Sequence, residues 1–85
     1  MNDIERCIGE SIACAGLFRL GRSVEAGLDM LEVFEHAAIH LEARPQPVPQ
    51  QWSNVLVLML SCQQSQDWLG LADYMEYELP ALLRG

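Results

Sequence analysis

Lysine is absent from this 85-residue chain, and all five basic residues are arginine. Twelve acidic residues leave a formal net charge of -7 at pH 7. Binding to duplex nucleic acid depends on neutralising phosphates with basic side chains, so this composition excludes nucleic acid as an expected partner. An excess of carboxylates instead aids solubility or attracts a basic protein surface.

Cysteine is scarce and has no obvious partner. There are three cysteines, an odd number, and none forms a CxxC pair. Cys7 and Cys14 lie about 10 Å apart along a helix, which is too far for a disulfide. We interpret both, together with Cys62, as small core residues. No signal peptide is expected at the start of the chain, and a reducing cytoplasm fits this use of cysteine best.

Long apolar segments are also missing. The most apolar stretch is the six-residue run from Val55 to Leu60, whereas a membrane-spanning helix needs about 20 such residues. No membrane is therefore expected as a partner, and a helix that is apolar on every side should lie inside a packed core. Because a single core in so small a chain contributes only about 3 to 5 kcal/mol, we expect a second copy to complete it.

The spacing of apolar residues predicts four helices, over 2–20, 24–43, 50–65 and 68–79. The proline-rich connector 44–49 cannot be helical, and Pro80 should kink or end the last helix near Leu79. Short turns between helices favour antiparallel neighbours. The sequence thus predicts one domain over 1–85, an all-α, small antiparallel bundle of about four helices that is completed by homodimerisation.

The second predicted helix should bury one side and expose the other. The side expected to be buried carries Val24, Leu28, Leu31, Phe34, Ala38 and Leu41, with Met30 and Ala37 widening it. The side expected to face water carries Glu25, Asp29, Glu32, His36 and His40. Both assignments follow from helical spacing, and they imply that the helix contacts two neighbours.

Catalytic and metal sites have little support in the sequence. His36 and His40 are four residues apart, and two imidazoles at that spacing can share a divalent metal, which makes them weak metal candidates. They do not form an HExxH motif, however, and no further ligand stands out. No nucleophile is paired with a base in a recognisable pattern. We predict no enzyme activity, no cofactor and no metal, and interpret both histidines as part of a solvated face.

The last predicted helix carries carboxylates interleaved with tyrosines, a residue type that is enriched at protein interfaces. A docking surface is one interpretation. The alternative is that both tyrosines flank the core with their hydroxyls in water. The dimer interface is expected to use Val55, Leu58 and Met59 of the third predicted helix and an apolar seam from Trp68 to Leu82. The predicted interaction residues are Trp68, Tyr74, Tyr77, Asp73, Glu76, Val55, Leu58 and Met59.

The segment DWLGLADYMEYELP, from Asp67 to Pro80, resembles a segment of small uncharacterised bacterial helical proteins. Those proteins carry an aspartate and an aromatic residue, then Leu-Ala-Asp, then Glu-Tyr-Glu-Leu and a nearby proline. The resemblance implies a bacterial origin and a helical end to the chain. In size, acidity and helix pattern, the chain is also similar to flagellar and type III export chaperones, many of which are dimeric.

The function predicted from these observations is a non-enzymatic, cytoplasmic protein-binding module, either an adaptor or an export-chaperone-like protein. Its partners would be a second copy of itself and an unidentified protein. The alternative is an acidic inhibitor or immunity-type protein that neutralises a basic partner. The acidic faces for that role would be those of Glu25, Asp29 and Glu32 and of Asp73, Glu76 and Glu78. A third class is a metal-dependent enzyme or sensor that uses His36 and His40.

Overall fold

The computed structural model describes residues 2–85, and every regular element in that range is helical. In chain order, the elements are α1 (Asp3–Arg19), α2 (Ser23–Leu41), α3 (Val48–Gln64), α4 (Trp68–Asp73), a π-helical segment (Tyr74–Glu78) and α5 (Leu79–Arg84). The last three follow one another without a break, so the chain forms four helical rods. The predicted all-α class is confirmed.

Local sequence explains where several helices begin and end. The Asn2 side chain accepts a hydrogen bond from the Glu5 amide at 2.8 Å and caps the start of α1, as small polar residues commonly do. Gly21 follows α1 with a φ of 79°, a left-handed conformation that glycine adopts at little cost. Asp67 caps α4 by accepting from the Gly70 amide at 3.0 Å. These three helix ends are therefore encoded next to the helices themselves.

The proline-rich connector is tied to the end of the chain by Arg44. Pro49 lies in the first turn of α3, where its missing amide proton costs nothing, so α3 begins slightly earlier than predicted. The Arg44 guanidinium donates hydrogen bonds to the Leu82 and Leu83 carbonyl oxygens, both at 2.6 Å. Carbonyl groups in the last turn of a helix have no partner within it. Arg44 therefore caps α5 from outside.

The π-helical segment is explained by Pro80. The Leu79 amide donates to the Tyr74 carbonyl, five residues back. The next bond of that kind would run from residue 80 to Met75, but proline has no amide proton. The Met75 carbonyl instead accepts from the hydroxyl of Ser11, which is fully buried in α1. In an α-helix the proline ring would also clash with the carbonyl four residues back, and the wider π turn relieves this contact.

Pro80 was predicted to kink or end the last helix near Leu79, and the second alternative was wrong; the helix is distorted into the π-helical segment just before the proline. The helix continues through α5 to Arg84. The widened turn accommodates the proline, and a side chain from another helix satisfies the carbonyl that the proline leaves free. Neither effect is visible in the local sequence, because both depend on how α1 packs against the last helix.

The core is organised around α1, which packs against α2, α4, the π-helical segment and α5. Two aromatic pairs add to the packing between helices. Phe18 of α1 stacks on Trp68 of α4, with ring centroids 5.8 Å apart and planes 9° apart. Phe34 of α2 meets Trp52 of α3 edge to face at 6.0 Å. Such aromatic pairs contribute about 0.5 to 1.5 kcal/mol beyond the burial of their area.

The predicted dimer interface is largely enclosed within the chain. Met59 and the seam residues Ala72, Met75 and Leu79 are all fully buried. The expectation that they face a second copy was wrong, because α1 and the other helices already cover them. The apolar run in α3 is also less enclosed than predicted, since Val57, Leu58 and Leu60 are exposed. A bundle of this size covers one side of α3 and leaves the others in solvent.

Candidate protein-binding surface

The helix α2 is apolar on two roughly opposite sides, and the core covers only one of them. The buried side consists of Ala26, Met30, Val33, Ala37 and Leu41. On the other side lie Val24, Leu28, Leu31 and Ile39, whose exposed fractions are 78%, 65%, 57% and 69%. We refer to these four residues as the α2 apolar face. Their spacing of four, three and eight residues places them along one strip of the helix surface.

The prediction that Val24, Leu28 and Leu31 are buried was therefore wrong. Helical periodicity is satisfied by either side of α2, so spacing alone does not choose between them. The buried side carries the small residues Ala26 and Ala37 beside larger ones, and α1 packs closely against α2. The Cys14 thiol of α1 donates a hydrogen bond to the Ala26 carbonyl at 3.2 Å. Two apolar rows on one helix were the signal that could have revealed an exposed face.

Carboxylates border the α2 apolar face and also interrupt it. Glu35 lies four residues after Leu31 in the same row, and Glu42 lies a further seven residues along. Glu32 lies four residues after Leu28, at the edge of the face. All three carboxylates belong to exposed residues. The surface thus combines a mostly aliphatic half near the start of α2 with a more acidic half near its end.

On the last helix, Arg19 forms ion pairs with two carboxylates of the predicted acidic surface. Its Nη2 lies 2.8 Å from Asp73 Oδ1, and its Nε lies 3.3 Å from Glu76 Oε1. A hydrogen bond with Tyr77, together with the ion pair to Arg19, lowers the pKa of Glu76. Two of the three carboxylates proposed for this face are therefore already paired within the chain. Glu78 is exposed.

The structure brings together some of the predicted interaction residues and separates others. Asp73, Tyr74 and Tyr77 line an open pocket of about 430 Å³ together with Gly70 and Glu78. Its mixed lining leaves both interpretations of the tyrosines in place, since Tyr77 is exposed and Tyr74 is half-buried.

The other predicted interaction residues lie apart from this pocket. Trp68 is half-buried and stacks on Phe18, so much of its ring serves the core. Val55 and Leu58 are on α3 and do not line the pocket, and Met59 is buried beneath them. The predicted set is therefore divided between a pocket, the core and the outer surface of α3.

His36 and His40 line a small pocket of about 180 Å³ whose walls include Asp3 and Arg6. His36 Nδ1 lies 3.4 Å from Glu10 Oε1, a buried oxygen without a hydrogen bond. The arginine in the pocket wall disfavours a cation there. In the described part of the chain, no group of three or more histidine, cysteine, aspartate or glutamate side chains is placed to hold a metal ion.

The three cysteines are free thiols. Cys7 and Cys14 are buried core residues, as predicted, whereas Cys62 is half-buried. Burial, reinforced by the nearby Glu10, raises the pKa of Cys7 to about 11. Burial, reinforced by Asp29, raises the pKa of Cys14 to about 12. Both thiols therefore stay protonated and unreactive at neutral pH.

We expect alkylation of the native protein at pH 8 to modify Cys62 first and to spare Cys7 and Cys14. Because the pKa values of both buried thiols lie above the ordinary value of 9.0, their contribution to stability is complete below pH 9. It is lost as the pH rises towards 11 and 12. Urea unfolding from pH 7 to 11 should therefore show a steeper alkaline loss for the wild type than for the C7A/C14A variant. Equal alkylation of all three cysteines in the folded protein would contradict this expectation.

No helix within residues 2–85 has both the length and the apolar character needed to cross a membrane. Comparison with known proteins gives no match: no family model, no curated protein and no solved structure matches the chain. The resemblance carried by Asp67 to Pro80 stays a prediction. The function must therefore be inferred from the chemistry of the surface.

Proposed function

We propose that the protein is a non-enzymatic protein-binding module, of the adaptor or export-chaperone type, and that the α2 apolar face binds a helical segment of a partner. One observation carries this proposal: four large aliphatic side chains lie exposed along a helix whose opposite side is already buried. Single exposed apolar residues are ordinary on protein surfaces. Several large apolar side chains exposed on one strip of a helix and bordered by polar residues indicate an interaction site.

The shape of the face favours a helical partner. Val24 and Ile39 are separated by about 22 Å along the axis, at 1.5 Å per residue. A partner helix of about four turns would cover this length. Residues repeating at three- and four-residue intervals form the ridges that pack between the ridges of a second helix, and an amphipathic helix binds through anchors at the same intervals.

We also propose that the protein is bacterial and cytoplasmic and that it forms a homodimer. Three free cysteines suit a reducing compartment. Because Met59 is buried, the dimer interface would use the accessible remainder of the predicted set, Val55 and Leu58 on α3. Burial of these side chains would add apolar contacts that a small core lacks.

A second candidate function is that of an acidic inhibitor or immunity-type protein. It is favoured by the exposed carboxylates of Glu25, Asp29 and Glu32 on α2. Arg19 already engages the other acidic face, so α2 would carry this role as well. High salt separates the two candidates, because binding that rests on charge alone is lost above physiological ionic strength, whereas the part of the affinity that comes from burying the apolar row is retained.

The test is copurification of the tagged protein from its native host, with variants on two faces. The Leu28→Ser/Leu31→Ser variant removes the α2 anchors, and Val57→Ser/Leu60→Ser is the matched control on α3. A partner should be retained by the wild type and by the control, and its recovery should fall about tenfold or more with the α2 variant. All four positions are exposed, so both variants should keep the circular dichroism of the wild type.

Equal recovery of the same proteins by the two variants would overturn the assignment of function to α2.

Sedimentation equilibrium of the wild type at micromolar concentration tests whether the protein forms a homodimer. A dimer supports the proposed self-association, and a monomer refutes it.

A further inference from the structure

We infer that the partner of the α2 apolar face is a basic amphipathic helix, one that carries arginine or lysine beside its own apolar row. The inference rests on the proposed function and adds the chemistry of the partner. The row along α2 runs from Val24, Leu28 and Leu31 into Glu35 and Glu42, at intervals of four, three, four and seven residues. A helix laid along it meets aliphatic side chains first and carboxylates second.

The carboxylates of this row lack counter-charges among the residues that the structure describes. Arg6 Nε lies 3.5 Å from Glu10 Oε1, and Arg22 Nη1 lies 4.0 Å from Glu25 Oε2, which is outside the row. Arg19 binds the last helix, and Arg44 caps α5. Across residues 2–85, no ion pair joins an arginine or a histidine to Glu32, Glu35 or Glu42.

An unpaired carboxylate is stable in water but costly in an interface. Removing it from solvent without a counter-ion opposes binding, because a buried charge is unfavourable unless it is paired. A partner that covers Leu31 and Ile39 also approaches Glu35, which lies between them along the helix. The partner must therefore supply a cationic side chain at that point.

A second copy of this chain does not meet that requirement. No basic residue other than histidine lies between Arg22 and Arg44. A parallel pair of α2 helices would therefore set carboxylates against carboxylates, and an antiparallel pair would set Glu35 against the aliphatic half of the other copy with no cation beside it. Like charges held together across an interface are unfavourable. An anionic membrane surface is disfavoured for the same reason. A basic amphipathic helix offers apolar side chains to the aliphatic half of the row and cationic side chains to its acidic half.

The inference is tested with three synthetic peptides of about 18 residues, or about 27 Å as helices. All three carry leucine at the same heptad positions. They differ at the flanking positions, which hold arginine, glutamine or glutamate. Each labelled peptide is titrated with the full-length protein, and fluorescence anisotropy reports binding at low and at physiological salt.

We expect the arginine peptide to bind at least tenfold more tightly than the glutamine peptide and the glutamate peptide to bind most weakly. The Glu35→Gln/Glu42→Gln variant should lower the affinity for the arginine peptide about tenfold. The Glu5→Gln/Glu78→Gln variant has the same net charge but alters exposed carboxylates elsewhere. It should change the affinity less than twofold, which separates a local charge effect from a general one.

The possible failures are distinguishable. Equal binding of the arginine and glutamine peptides, or equal effects of the two charge variants, overturns the inference but leaves an apolar binding site intact. No binding of the arginine peptide up to about 100 μM also overturns the inference. If the peptide binds equally well to the Leu28→Ser/Leu31→Ser variant, the proposed function of the face fails as well.

Discussion

Replacing Met59 with alanine is expected to lower the free energy of unfolding by about 2 to 5 kcal/mol, whereas Leu58→Ala should lower it by less than about 1 kcal/mol. The two residues are neighbours on α3 with similar side-chain sizes. Met59 is fully buried, and Leu58 is 47% exposed. Truncation at Met59 loses apolar burial and leaves a cavity among α3 and its neighbours. Truncation at Leu58 shortens a side chain that is already about half exposed to water.

Urea unfolding of both variants at pH 7 measures the difference directly. Each variant should be measured at several protein concentrations, because the stability of a dimer depends on concentration. Equal losses for the two variants, or a larger loss for Leu58→Ala, would contradict the placement of Met59 in the core. That result would return Met59 to the interface that the sequence alone predicted.

The second large effect concerns Ser11, the buried serine that serves the π-helical segment. Ser11→Ala removes the hydroxyl that donates to the Met75 carbonyl and leaves that oxygen buried without a partner. Such a loss costs about 1 to 3 kcal/mol. Pro80→Ala restores an amide proton at position 80, which is available to a carbonyl one turn back. The cost of Ser11→Ala should therefore be smaller in the Pro80→Ala background.

A double-mutant cycle over these two positions measures the coupling through four urea unfolding curves. The matched control is Ser65→Ala, which removes an exposed hydroxyl that donates to the Ser61 carbonyl at 3.1 Å. Its effect should stay within about 0.5 kcal/mol. If the effects of Ser11→Ala and Pro80→Ala simply add, Ser11 does not compensate for the proline, and the π turn needs another explanation.

Helix number and helix ends could be predicted because the signals are local. Gly21 and the prolines of the connector interrupt the helical pattern at the positions where α1, α2 and α3 stop or start. Asp67 provides a hydrogen-bond acceptor for the first turn of α4. These effects act within a few residues of each helix end. The predicted boundaries of the first three helices and the predicted start of the fourth therefore lie within two residues of the observed ones.

The exposed side of α2 could not be predicted, because both of its apolar rows obey the same helical period. Which row is buried depends on how closely α2 can approach α1. The buried row includes the small residues Ala26 and Ala37, whereas the exposed row carries Leu28 and Leu31. Average hydrophobicity favours the bulkier row and so points to the wrong side. The candidate binding surface was missed for the same reason, since its residues had been assigned to the core.

The hydrogen bonds of Arg44 also have a mechanical consequence. Glu42, at the acidic end of the proposed binding row, is two residues before this arginine, and the arginine holds the carbonyls of Leu82 and Leu83. Arg44 therefore anchors the segment that follows α2 to the last turn of α5, in addition to the direct packing of α5 against α1, α2 and α3. The connector between α2 and α3 and the last turn of α5 are thus held together in the fold, although about 40 residues separate them in the sequence.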